Sequence, residues 1–128
     1  MPLSDRVTVL SGPVIRAGES LSESLEVTAG NVYSIMMPDE WDSADITLQI
    51  SMDGVKFYNV YDEAGKELVM PCVPKSIVPL GRYLMYAHSI KIRSGALASR
   101  DPVVQSATRA FGIVIDTYVG AIATSQAT

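Results

Sequence analysis

Apolar residues recur at every second position in three stretches of this chain. Ile46, Leu48 and Ile50 alternate with Thr47 and Gln49. Ile90 and Ile92 alternate with Lys91 and Arg93, and Phe111, Ile113 and Ile115 share one phase near the end. A period of two sends alternate side chains to opposite faces of a strand, one packed and one wet. Turn residues close two of these runs, Asp53-Gly54 and Ser94-Gly95. Asp-Gly between alternating runs is a strong hairpin signal, so the spacing predicts that 45–51 leads through Asp53-Gly54 into a strand from Val55 to Tyr61.

The same reading extends along the chain. Val7 and Val9, then Leu25 and Val27, beat at period two in a segment dense in Ser and Gly. Ser11-Gly12-Pro13 and Ala17-Gly18-Glu19 read as turns between short strands. Val32 to Met37 reads as a strand that Pro38 ends. Pro71, Pro74 and Pro79 make 71–81 a long connection or an edge segment, because proline cannot donate to a ladder. Arg82 to Tyr86 suits a strand or one helical turn, 94–108 a loop, and Arg109 to Val119 the longest strand. The expected fold is all-β: a single antiparallel β-sandwich, jelly-roll-like, of roughly eight or nine short strands with little helix. Ile46, Leu48, Ile50, Ile90, Ile92, Phe111, Ile113 and Ile115 should face inward. Residues 1–30 are expected to be an N-terminal arm or edge strands, 31–120 the core domain, and 121–128 a small polar tail.

Composition narrows the classes. Hydrophobic residues make up 48% of the 128, and charged residues 19%. That suits one globular domain rather than a disordered chain. The net charge of −4 argues against nucleic acid as the main partner, since phosphate binding needs concentrated positive charge. No apolar run approaches the roughly 20 residues of a spanning helix, and no charged segment followed by an apolar run opens the chain. No membrane partner is expected, and synthesis is expected in the cytoplasm. Cys72 is the only cysteine, so no internal disulfide forms, and a small buried thiol is the expected role.

Catalytic signals are thin. His88 is the only histidine, and no nucleophile elbow, P-loop or dinucleotide fingerprint accompanies it. One Cys and one His do not make a zinc site. The carboxylates Asp39, Glu40, Asp42 and Asp45 have the chemistry of calcium ligands but fit no EF-hand spacing, and a solvated acidic loop is the better reading. No cofactor and no enzymatic activity are expected. The aromatic residues leave two readings open. Trp41, with Phe57, Tyr58 and Tyr61 near it in sequence, could build a sugar-stacking platform. Alternatively, Trp41 plugs one end of the sandwich. Phe57 and Tyr58 point to opposite faces if both lie on one strand. The candidate ligand or interface residues are Trp41, Asp42, Tyr58 and Tyr61.

One stretch carries a resemblance. Residues 41–57, from Trp41 through Ala44, Ile46, Gln49, Ser51, Asp53 and Gly54 to Phe57, match the pattern W-x-x-A-x-I-x-F-Q-x-S-x-D-G-x-x-F except at Leu48, where an aromatic is frequent. Ile90 to Gly95, followed by Arg109-Ala110-Phe111, looks like its companion. Together, over roughly 38–118, they resemble small virion-associated β-sandwich proteins of tailed bacteriophages. The resemblance implies a structural virion protein: a capsid decoration or cement protein, a head-fibre protein or a tail component. Its implied partners are the major capsid protein or another virion protein and further copies of itself, with a trimer favoured. Its implied place is the virion. The hairpin with a following aromatic is also similar to discoidin-like galactose-binding sandwiches, which would make this a carbohydrate-binding module.

Overall fold

The computed structural model describes residues 7–28, 30–80, 87–96 and 101–116. These residues form nine strands: β1 (Val7–Ile15), β2 (Leu25–Glu26), β3 (Asn31–Met36), β4 (Ile46–Ser51), β5 (Tyr58–Asn59), β6 (Ile77–Pro79), β7 (Ser89–Ala96), β8 (Asp101–Pro102) and β9 (Arg109–Asp116). No helix among them is long and apolar enough to cross a membrane. The strands make two antiparallel sheets. Sheet 1 has the order β1-β9-β3-β6 and sheet 2 the order β2-β7-β4-β5, with β8 paired to the end of β7. With β8 set aside, successive strands cross between the sheets at every step except β4 to β5. This is the double Greek-key winding of a jelly roll.

Alternation places the core. Ile46, Leu48, Ile90, Ile92 and Ile113 are fully buried, Phe111 and Ile115 nearly so, and Ile50 packs half-buried against them. Ladder register explains the phase: Leu48 lies opposite Ile92, and Ile113 lies opposite both Leu10 and Ile35. Directly opposed residues share a face, so the apolar sets of neighbouring strands merge between the sheets.

Four local expectations differ from the structure. Ser11-Gly12-Pro13 is not a turn. It is a bulge inside β1, where the register with β9 slips between Ser11 and Val14 and Gly12 takes a φ of +101°. The hairpin through Asp53-Gly54 forms, with β5 antiparallel to β4, but its loop is wider than expected and residues 55–57 stay outside the strand. The Asp53 carboxylate accepts hydrogen bonds from the Val55 and Lys56 amides at 2.8 and 3.0 Å, and the Ser51 hydroxyl oxygen accepts one from Gly54 at 2.7 Å. These side-chain bonds capture the backbone in a wider loop. Pairing resumes only at Ile50 with Tyr58 and Gln49 with Asn59. The 94–108 loop is partly strand, because β7 runs on to Ala96 and pairs with β8.

The outer face of sheet 2 is also not uniformly wet. Thr47 and Arg93 are buried there. Leu68 donates its amide to Val60, and Met70 pairs with Ile46 in both directions, so residues 60–70 run beside β4 and β5 and bring Glu67 to that face. The Arg93 guanidinium then meets the Glu67 carboxylate at 3.4 Å, Asn59 Oδ1 at 3.0 Å and Thr47 Oγ1 at 3.3 Å. Lys91 stays half-exposed, its ammonium 4.5 Å from the Phe57 ring centroid.

Residues 7–28 supply β1 to sheet 1 and β2 to sheet 2, and their Ile15 and Val27 are buried in the common core. β1 occupies an edge of its sheet. β6, with Pro79, occupies the opposite edge. The segment Arg82 to Tyr86 and the tail 121–128 lie outside the described residues.

Candidate functional site

Trp41 and Asp42 lie at one end of the sandwich. Trp41 is buried, its ring edge-on to Phe111 at 5.5 Å between centroids, and its indole N–H donates to the Ala44 carbonyl at 3.0 Å. It plugs the core, so it offers no face for a sugar to stack on. Asp42 is turned to its own chain. Its carboxylate accepts from the Ser106 amide, the Ser106 hydroxyl at 3.1 Å and Arg109 Nη2 at 3.0 Å. The bond from the Ser106 backbone does most to hold this carboxyl below its ordinary value of 3.8, helped by the Ser106 hydroxyl and by Arg109.

Gln105 completes that end. It is fully buried. Its amide nitrogen donates to the Asp42 carbonyl and to Ser94 Oγ, and its amide oxygen accepts from the Asp42 amide and Arg109 Nε. Its backbone bonds Gly18 and Glu19. One glutamine thus ties the 16–20, 40–45 and 103–109 connections to β7. Among the described residues no buried side-chain polar atom lacks a partner. A network satisfied throughout rigidifies a fold and leaves no open valence for a ligand. No spacing in the sequence marks Gln105, because its partners come from a connection 63 positions away and from β7, 11 positions away.

The remaining chemistry-bearing side chains are also engaged. His88 Nδ1 lies 2.8 Å from Ser89 Oγ, and its Nε2 lies 3.5 Å from a Glu26 carboxylate oxygen. The Ser89 hydroxyl is buried, which denies a substrate access to this serine–histidine–carboxylate run. The Cys72 thiol donates to the Ala44 carbonyl. Burial, with the Asp45 charge adding to it, pushes this thiol up to about 11, so it stays protonated and unreactive at neutral pH. Among the described residues no three of His, Cys, Asp and Glu are grouped to hold a metal ion.

The two tyrosines lie on sheet 2, Tyr58 in β5 and Tyr61 in the bridge to Glu67, and both are exposed. The structure therefore does not bring the four candidates together.

A different surface stands out on the outer face of sheet 1. Register puts Ser11, Gly112, Met36 and Ile77 in one row, and Val9, Val114, Ser34 and Pro79 in the next. Val7, Val9, Met36 and Ile77 are exposed there, Ile77 at 63%. Gly112 lets its neighbours close over the backbone of β9. A Cβ at that position would lie 3.2 Å from Val9 Cγ1 and 3.4 Å from Met36 Cβ. The β1 bulge, Met36–Asp39 and Ala110–Gly112 border an open depression of about 540 Å³ beside this row. The sequence carried a signal for this face. In β9 the positions out of phase with Phe111, Ile113 and Ile115 are Ala110, Gly112, Val114 and Asp116, and the first three are small or apolar, with a charge only at the strand's end.

Comparison of the chain with protein-family models, with curated proteins and with solved structures finds no match.

Proposed function

We propose that this chain is a non-enzymatic assembly module that docks on a larger protein surface through the outer face of sheet 1. Within that class, the resemblance of residues 41–57 and 90–111 favours a capsid decoration or cement protein of a tailed phage, with the major capsid protein as its partner. One observation carries the docking role: exposed Val7, Val9, Met36 and Ile77 lie in three neighbouring rows on the outer face of a four-stranded sheet. A contiguous apolar surface of this kind marks interaction sites on soluble proteins. The jelly roll itself serves capsids and lectins alike, so it supports the reading only by analogy. The same fold with a glycan ligand would need an exposed aromatic platform. Trp41 does not supply one, and the exposed tyrosines are divided between the sheets, Tyr33 on sheet 1 and Tyr58 and Tyr61 on the side of sheet 2.

The test is to purify capsid particles from cells that express the full chain and measure its ratio to the capsid protein. A fixed ratio is expected for the natural sequence. Ile77→Lys should be lost from the particles while its circular dichroism and melting temperature stay unchanged, because exposed substitutions cost within about 0.5 kcal/mol. A natural chain absent from the particles overturns the virion role. An Ile77→Lys chain retained at the same ratio overturns the docking face.

A further inference from the structure

The four edges of this sandwich are not alike. Sheet edges invite pairing with another chain, and soluble proteins blunt them with charge, proline, bulges or brevity. β6 is three residues long and ends in Pro79, which has no N–H to offer. β5 is two residues long, and the chain curls back beside it through the charged turn Asp62–Lys66. β2 is two residues long and carries Glu26, with Glu23 just before it. The second half of β1 has the Gly12-Pro13 bulge, and the Val14 carbonyl accepts from the Glu23 amide at 3.3 Å.

The first half of β1 has none of these devices. Val7-Thr8-Val9-Leu10-Ser11 holds no charge and no proline. Among the described residues it is paired on one side only, to β9. Val7, Thr8 and Val9 are strong strand formers, and Val7 and Val9 are each 52% exposed.

We propose that this segment pairs with itself: two copies of the chain join β1 to β1, antiparallel, about a two-fold axis near Val9. The occupant is a second copy because an isologous contact sets each residue against its own neighbourhood. A charged strand placed so would oppose like charges, as Glu26 would at the β2 edge. At β1 the pairing sets Val9 on Val9, Thr8 on Leu10 and Val7 on Ser11, with no charge in the register. The two copies of sheet 1 then become one eight-stranded sheet with Pro79 at both ends. An antiparallel pair about a perpendicular axis keeps both outer faces on the same side, so two apolar rows become one surface. That last consequence rests on the docking role proposed above, whereas the pairing itself does not. It gives assemblies of even order, not the trimer that the resemblance implies.

The experiment is sedimentation of the purified full chain from micromolar to millimolar concentration. A monomer–dimer equilibrium is expected. Val9→Lys and Val9→Glu should each weaken dimerisation by about 100-fold or more through like-charge contact at the axis. Mixing the two variants should restore a one-to-one dimer, which a merely damaged fold would not do. Val7→Lys and Val7→Glu provide the same readout if the Val9 variants fail to fold. Amide exchange at Val7–Ser11 should slow as concentration rises. Ile77→Lys should still dimerise, so loss of particle binding and loss of pairing are read separately. A natural chain that is monomeric throughout overturns the proposal. So does a Val9→Lys chain that dimerises unchanged, a variant mixture that stays monomeric, or a Val7–Ser11 segment equally protected when dilute. The last result would mean that another segment of the same chain fills the edge.

Discussion

Replacing Trp41 by alanine removes the largest side chain at the closed end of the sandwich. The ring is buried against Phe111, the two planes inclined at 69° in an edge-on pair. Truncating a buried aromatic of this size costs about 3–5 kcal/mol through lost transfer energy and the cavity left behind. The edge-on pair accounts for about 0.5–1.5 kcal/mol of such a loss. The indole hydrogen bond adds little, because the Ala44 carbonyl keeps the Cys72 thiol as a donor at 3.2 Å. A chain of this size changes Tm by roughly 4 °C per kcal/mol. Trp41→Ala should therefore lower Tm by roughly 12–20 °C, and Trp41→Phe, which keeps a ring in place, by less than half as much. Calorimetry reads the shift. In the natural chain Trp41 fluorescence should be blue-shifted, resistant to acrylamide and indifferent to added oligosaccharides. A Tm change below roughly 4 °C in Trp41→Ala, or a saturable emission change with any common glycan, would refute the core role of this residue.

Two further outcomes follow from the polar clusters. Glu67→Met leaves the buried Arg93 guanidinium with the neutral acceptors Thr47 and Asn59, which should cost about 3–5 kcal/mol in urea denaturation. The Arg93→Met, Glu67→Met double variant should lose less than the two singles together, and additivity within about 0.5 kcal/mol would show that the pair is not coupled. Asp42 has a folded-state carboxyl lowered from 3.8, so its contribution is complete above that value and is lost as pH falls through the lower folded value. Asp42→Asn should destabilise the chain at neutral pH and flatten the loss of stability below about pH 4. An unchanged acid profile would mean that the Ser106 and Arg109 contacts do not persist in solution.

The strands were legible because burial in a sandwich acts on single residues at a fixed period. Ile46, Leu48, Ile90, Ile92, Phe111 and Ile113 could be placed by counting in twos. The Ser11–Pro13 segment was misread, and the width of the Asp53–Gly54 hairpin loop was missed, for one reason. Both contain the residues of a turn, but the outcome depended on a partner strand in one case and on the Ser51 and Asp53 side chains in the other. The buried Arg93 was not legible either. Its carboxylate partner, Glu67, belongs to a connection whose path no periodicity encodes. Gln105 escaped notice for the same reason, since a lone glutamine in a loop looks solvated until Asp42 and Arg109 converge on it. The outer face of sheet 1 was partly visible in Val7, Val9, Ala110, Gly112 and Val114. Their meaning depended on knowing that β1 and β9 are neighbours.

That adjacency also governs when the molecule can form during synthesis. β9 lies between β1 and β3, and its register pairs Val7 with Asp116 and Asn31 with the same residue. Until residues 109–116 leave the ribosome, β1 and β3 have no strand between them, and sheet 1 exists only as the short β3–β6 pair. Long-range pairing of this kind is slow, and synthesis proceeds at about 5–20 residues per second. Sheet 2, whose strands β2, β4, β5 and β7 all precede β9, can assemble first. The nascent chain therefore presents β1, its least guarded strand, for several seconds before its own partner arrives. On crowded polysomes, chaperone demand and misassembly should both concentrate in that interval.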